Sequence, residues 1–166
     1  IPISWTPFGE LFSGLFMGMI IILLAFFIQT GNVNGFVVWI SLPIVITIGL
    51  INMANNIRDR VKDKASGRKT LSILLGKKAS ITFMAAMYIL AYLIVIFTAL
   101  FKSGGSLFYL LVLFSFPMPI KAIRRFNKND TPASMMPAMA ATGKTNTVFG
   151  ILYALGIYIS ALLGGI

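Results

Sequence analysis

Several stretches of about 18 to 22 residues in this chain carry no charged side chain at all. A helix rising 1.5 Å per residue needs about 20 apolar residues to cross a hydrocarbon core of about 30 Å. With 58% hydrophobic residues, 11% charged residues and a mean hydropathy of +0.92, the chain holds less than half the charge of an ordinary soluble domain. The expectation is an all-α, polytopic transmembrane helical bundle of about five helices.

The spans are placed at residues 11–28, 36–56, 81–101, 107–123 and 148–166, forming one domain over residues 1–166. Thr6 and Pro7 read as a cap and first turn for the first span, with Glu10 favouring its N-terminal dipole. Pro43 predicts a kink in the second span, and Pro117 and Pro119 bend the fourth. Thr131 and Pro132 predict a separate short helix as far as Thr142, with Met135, Met136 and Met139 as an adaptable apolar surface, either a lid or a connector. The opening residues Ile1, Pro2, Ile3 and Ser4 lack an initiator Met and a basic signal start, and read as a cut end.

The formal charge of +10 raises the possibility of nucleic acid, but the basic residues cluster in loops between apolar spans and lack interleaved aromatics. Eight of the fourteen lie between Arg58 and Lys78, and four more between Lys121 and Lys128. By the positive-inside rule these two loops are cytoplasmic, so the chain starts inside and ends outside. The absence of cysteine and histidine removes disulfides, thiolate metal sites and imidazole bases from these residues.

The second span runs on into polar sequence. Asn55, Asp59 and Asp63 recur at four-residue steps, so on a helix they drift by about 40° and rise about 6 Å per step. Asn52 and Asn56 flank the same face. Two of the chain's four acidic residues stand on this stripe. Carboxylate and amide oxygens without nitrogen or sulfur donors suit a hard cation, and magnesium is commonly held by one or two carboxylates with substrate phosphates. Arg58, Arg60, Lys62, Lys64, Arg68 and Lys69 interleave or follow the acids and can meet phosphate charge. As a solvated helix end the basic residues alone would only set topology; asparagines starting inside an apolar span ask for a ligand.

This segment resembles the second aspartate-rich motif of the UbiA superfamily of intramembrane prenyltransferases. Asn55, Asn56, Arg58, Asp59 and Asp63, followed by Gly67, Arg68, Lys69, Thr70 and Leu71, look most like the branch acting on 1,4-dihydroxy-2-naphthoate. The stretch from Met136 to Asn146 is similar to that branch too. Asn55 departs from the aspartate that many relatives carry there, which leaves fewer carboxylates for metal.

The resemblance implies a nine-helix fold of which these are the last five, in a cell membrane with the active site facing the cytoplasm. It also implies magnesium at Asn55, Asp59 and Asp63, with Asp59 and Asp63 catalytic. Asn52, Asn56, Arg58, Arg68, Lys69 and Lys144 are expected to bind diphosphate or acceptor. The implied reaction transfers a polyprenyl group from polyprenyl diphosphate to 1,4-dihydroxy-2-naphthoate, with decarboxylation, giving demethylmenaquinone. Another aromatic acceptor such as 4-hydroxybenzoate is the alternative within the superfamily. A CDP-alcohol phosphotransferase would need Asp-Gly and Ala-Arg signatures that this sequence lacks. An ion-coupled transporter would place its polar residues near the midplane rather than at the membrane face. Two carboxylates are few for a magnesium-bound diphosphate, so a partner motif outside this sequence is expected to complete the site.

Overall fold

The computed structural model describes residues 2–102 and 104–164. Five helices are long and apolar enough to cross a membrane: Gly9–Thr30, Gly35–Ala65, Leu71–Phe101, Leu107–Lys128 and Pro132–Leu162. The first is built from α1 (Gly9–Gly14), a π-helical stretch (Leu15–Ile20) and α2 (Ile21–Thr30). It ends at Gly31, whose φ of 70° is the left-handed conformation that closes many helices. The second span is α3 (Gly35–Ala65), capped where the Asn34 side chain accepts from the Val37 amide at 3.0 Å.

α4 (Leu71–Phe101) starts ten residues before the expected third span and is interrupted at Gly76, where φ is 77°. The fourth span opens as a 3-10 helix (Leu107–Ser115) and becomes α5 (Pro117–Lys128), so the expected bend falls where the helix type changes. The fifth is a single helix, α6 (Pro132–Leu162). A separate short helix followed by a span from 148 is therefore corrected. Pro137 lies in the second turn of α6, where its missing amide removes one intrahelical bond without breaking the helix, and Thr131 and Ser134 form a reciprocal capping box ahead of it. Residues 165 and 166 of the expected fifth span, and Ser103 of the turn before the fourth, lie outside the described residues.

The Thr6-Pro7 cap holds in part: Thr6 Oγ1 accepts from the Phe8 amide at 3.3 Å, but the regular helix starts later than expected. A 3-10 turn over Ile3–Trp5 precedes the first span, the Thr6 hydroxyl donates back to the Ile3 carbonyl at 2.7 Å, and the helix begins at Gly9. Pro43 sits within the uninterrupted α3.

α3, α4, the fourth span and α6 surround two apolar clusters stacked along the bundle. The one beside the polar end of α3 joins Leu50, Met53, Ala54 and Ile57 to Met84, Tyr88, Phe126, Met135 and Ala138. The other joins Ala91, Tyr92 and Val95 to Tyr109, Val112, Phe149 and Tyr153. Lipid is as apolar as these side chains, so close backbone approach supplies much of the helix association. Gly14 and Gly18 let the first span lie on the Val45 backbone, and Gly49 lies against the Glu10 carbonyl. Gly156 likewise brings α6 onto the backbone of Phe108 and Tyr109. Two polar contacts tie helices within the apolar region: Trp39 Nε1 donates to Thr98 Oγ1 at 2.8 Å, and Tyr92 and Ser115 share a hydrogen bond of 2.7 Å.

Candidate functional site

α3 carries its polar residues on about its last four turns, where it passes the N-terminal end of the first span on one side and α6 on the other. Asn55 and Asp59 are half-buried, Asn56 and Asp63 buried. On this helix Asn52, Asn56, Asp59 and Asp63 lie within about 60° of one another, and Asn55 is turned about 40° beyond Asp59 and about 60–100° from the other three. The stripe meets two neighbours, the first span at Asn56 and α6 beside the Arg58–Asp59 pair.

On the side of the first span, Asn56 Nδ2 donates to Glu10 Oε1 at 2.8 Å. The Asn52 amide nitrogen lies beside Gly9, 3.3 Å from where a Cβ there would stand. Glu10, read from the sequence as a partner of the helix dipole, is packed onto the stripe, with 8% of its surface exposed. Its second oxygen has no hydrogen-bond partner among the described residues. Sequence spacing cannot show this contact, which joins residues 46 positions apart. The only available signal was a carboxylate placed next to a long uncharged run.

Asp63 is 7% exposed and pairs with Arg68, Nη1 to Oδ1 at 3.2 Å. Arg68 lies over the Trp5 ring at 5.9 Å, and its amide donates to the Asp63 carbonyl at 3.0 Å. The Lys69 amide donates to the Trp5 carbonyl at 2.8 Å, while its side chain is exposed. The N-terminal turn therefore covers the end of α3 and the loop that leaves it.

On the side of α6, Arg58 grips Asp59 in a bidentate pair, with Nε donating to Oδ1 at 2.8 Å and Nη2 to Oδ2. Its Nη1 points at the thioether sulfurs of Met139 at 3.0 Å and Met136 at 3.6 Å. These methionines, expected on a separate short helix, are the surface on which the arginine rests. Lys144 is not brought to the stripe. It is exposed and lines a separate pocket with Lys121 and Arg125.

Among the described residues no three carboxylate, histidine or cysteine side chains converge on one point. The donors that do meet at the end of α3 are oxygens alone, and both aspartates already face arginines. Such a set fits a hard cation whose remaining ligands come from a bound phosphate, and does not fit a closed protein cage.

An apolar cavity of about 630 Å³ lies further along the bundle, between the first span (Ile22, Phe26), α3 (Val37, Ile40, Ile44) and α6 (Gly150, Tyr153, Ala154, Ile157). Ile44 and Asn55 are eleven residues apart on α3, which places them about 20° apart around its axis and about 16 Å apart along it. Asn55 therefore shares its side of α3 with Ile44 and Val37 of the cavity floor, while Asp59 stands about 60° from Ile44 and Asp63 about 100° from it.

Residues 4–148 match the UbiA prenyltransferase family, and the chain belongs to that family. It is 47% identical over 161 residues to the 1,4-dihydroxy-2-naphthoate octaprenyltransferase of Bacillus subtilis, an alignment covering 96% of this chain and 51% of that protein. It is also 31% identical over 153 residues to the UbiA prenyltransferase domain-containing protein 1 homolog of Drosophila melanogaster, covering 92% and 41%. The human UbiA prenyltransferase domain-containing protein 1 is 25% identical over 160 residues, covering 96% and 45%. The chain thus spans about half the length of these relatives, and no solved structure matches it.

Proposed function

We propose that this chain forms the C-terminal part of a membrane prenyltransferase that joins a polyprenyl group to 1,4-dihydroxy-2-naphthoate with loss of carbon dioxide. The observation that carries the reading is the shared face of α3. A diphosphate seated at Asn55 and Asp59 would have its isoprenoid tail directed along that face, into the cavity floored by Ile44, Ile40 and Val37. Few substrates other than a lipid diphosphate ask for an ionic head site and an apolar trough on one helix.

In this reading Asp59, Asp63 and Asn55 hold magnesium, with oxygens of the diphosphate as further ligands. The bound metal would offset charge gathering on the departing diphosphate. Arg58 and Arg68 stand beside these aspartates and supply fixed positive charge to the same oxygens. Asn56 and Asn52 keep the first span against the stripe, and Lys69 stands exposed where the loop leaves α3. The allylic carbon–oxygen bond breaks with its electron pair going to diphosphate, and the electron-rich ring attacks the allylic carbon. Release of the acceptor carboxylate as carbon dioxide returns an electron pair to the ring. By loop charge, the site faces the cytoplasm of a bacterial cell membrane.

The test is made on the full-length protein in membrane nanodiscs, with polyprenyl diphosphate, 1,4-dihydroxy-2-naphthoate and magnesium. Prenylated product with stoichiometric carbon dioxide is expected, and none with chelator present. Preference for 4-hydroxybenzoate would move the acceptor assignment to another branch of the family.

A further inference from the structure

Each carboxylate of the chain is engaged: Glu10 with Asn56, Asp59 with Arg58, Asp63 with Arg68, and Asp130 with Lys77 at 2.6 Å. Lys121, Arg125 and Lys144 have no such partner among the described residues, yet they converge. α5 supplies Lys121 and Arg125, α6 supplies Lys144, and the three line a pocket of about 280 Å³ with Met118, Ala140 and Ala141. Arg125 is held in place by donating from Nη1 to the Pro137 carbonyl at 2.9 Å. All three are exposed, so water screens much of their mutual repulsion, and an anion held among them would offset the rest.

The depth of the pocket narrows what that anion is. On α6, residues 145–162 carry no charge and rise about 27 Å, close to one hydrocarbon thickness. On the fourth span the uncharged stretch 107–120, mostly 3-10 helix, rises about 26 Å. Gly156 packs on Phe108, and counted from that contact Lys121 and Lys144 lie within about 5 Å of one level, near where the apolar runs of both helices end and lipid phosphates lie. Met118 and the two alanines give the pocket an apolar wall beside its cations.

We infer that the groove between α5 and α6 is a binding site for the phosphate of an anionic membrane phospholipid, held by Lys121, Arg125 and Lys144. The ligand chemistry is a phosphodiester, and its source is the surrounding leaflet rather than a soluble phosphate. The site is separate from the stripe on α3 and does not depend on the reaction proposed there.

The experiment uses full-length protein in neutral detergent with chelator present, so that the stripe cannot recruit phosphate through metal. Phosphatidylglycerol, phosphatidylcholine and inorganic phosphate are titrated separately, with the melting temperature as readout. Phosphatidylglycerol should stabilise the protein saturably and phosphatidylcholine should not. Each of Lys121→Gln, Arg125→Gln and Lys144→Gln should weaken the apparent affinity about fivefold, and the triple variant roughly a hundredfold. The Lys121→Gln/Lys144→Gln pair leaves the Arg125 contact to α6 intact and guards against a folding defect. An unchanged response in both multiple variants, or equal stabilisation by the two lipids, would overturn the site. Displacement of phosphatidylglycerol by millimolar inorganic phosphate would overturn its assignment to lipid.

Discussion

The bond between Asn56 and Glu10 is the only side-chain hydrogen bond from the first span to the polar end of α3 among the described residues, and its strength can be measured. Glu10→Ala leaves the Asn56 amide buried without a partner, and Asn56→Ala leaves both Glu10 oxygens in that condition, since Oε2 already has none. An unsatisfied buried polar group costs about 1–3 kcal/mol, so each single variant carries that cost in addition to its lost packing. The double variant removes donor and acceptor together. Its destabilisation should fall short of the sum of the singles by about 1–3 kcal/mol. Glu10→Gln keeps an acceptor oxygen in place and should cost less than about 1 kcal/mol. Equilibrium unfolding of the full-length protein in mixed micelles with rising SDS, followed by circular dichroism, gives all four values. Additivity of the singles to within about 0.5 kcal/mol would refute the argument and mean that the contact contributes nothing.

Three further outcomes follow from the same geometry. Asp59→Asn and Asp63→Asn should each lower magnesium-dependent prenyl transfer at least about a hundredfold while gel-filtration behaviour stays that of the folded protein; near-normal turnover would reduce the stripe to a solvated helix end. Gly156→Ala should cost about 1–3 kcal/mol, because the new methyl meets the Phe108 backbone, whereas Gly143→Ala faces open space and should be neutral or stabilising; equal melting temperatures would contradict the packing of α6 on the fourth span. Ala154→Trp narrows the apolar cavity and should shorten the preferred prenyl donor without affecting a minimal one; an unchanged chain-length profile would separate the cavity from the substrate.

Sequence alone determined the number of spans, because a helix is the element that satisfies its own backbone in lipid and its length is fixed by membrane thickness. It also determined the stripe, since a four-residue period on a helix places side chains together whatever surrounds them. Contacts between distant segments were not available to that reasoning. Glu10 reaches Asn56 because Gly9, Gly14 and Gly49 let two backbones approach, and Arg58 finds Met136 and Met139 because α6 crosses the end of α3. Lys144 left the stripe for Lys121 and Arg125 because α6 is one continuous helix, and its rotation about its axis fixes which neighbour each side chain meets. That rotation is set by packing of small residues against backbone, which no local pattern records.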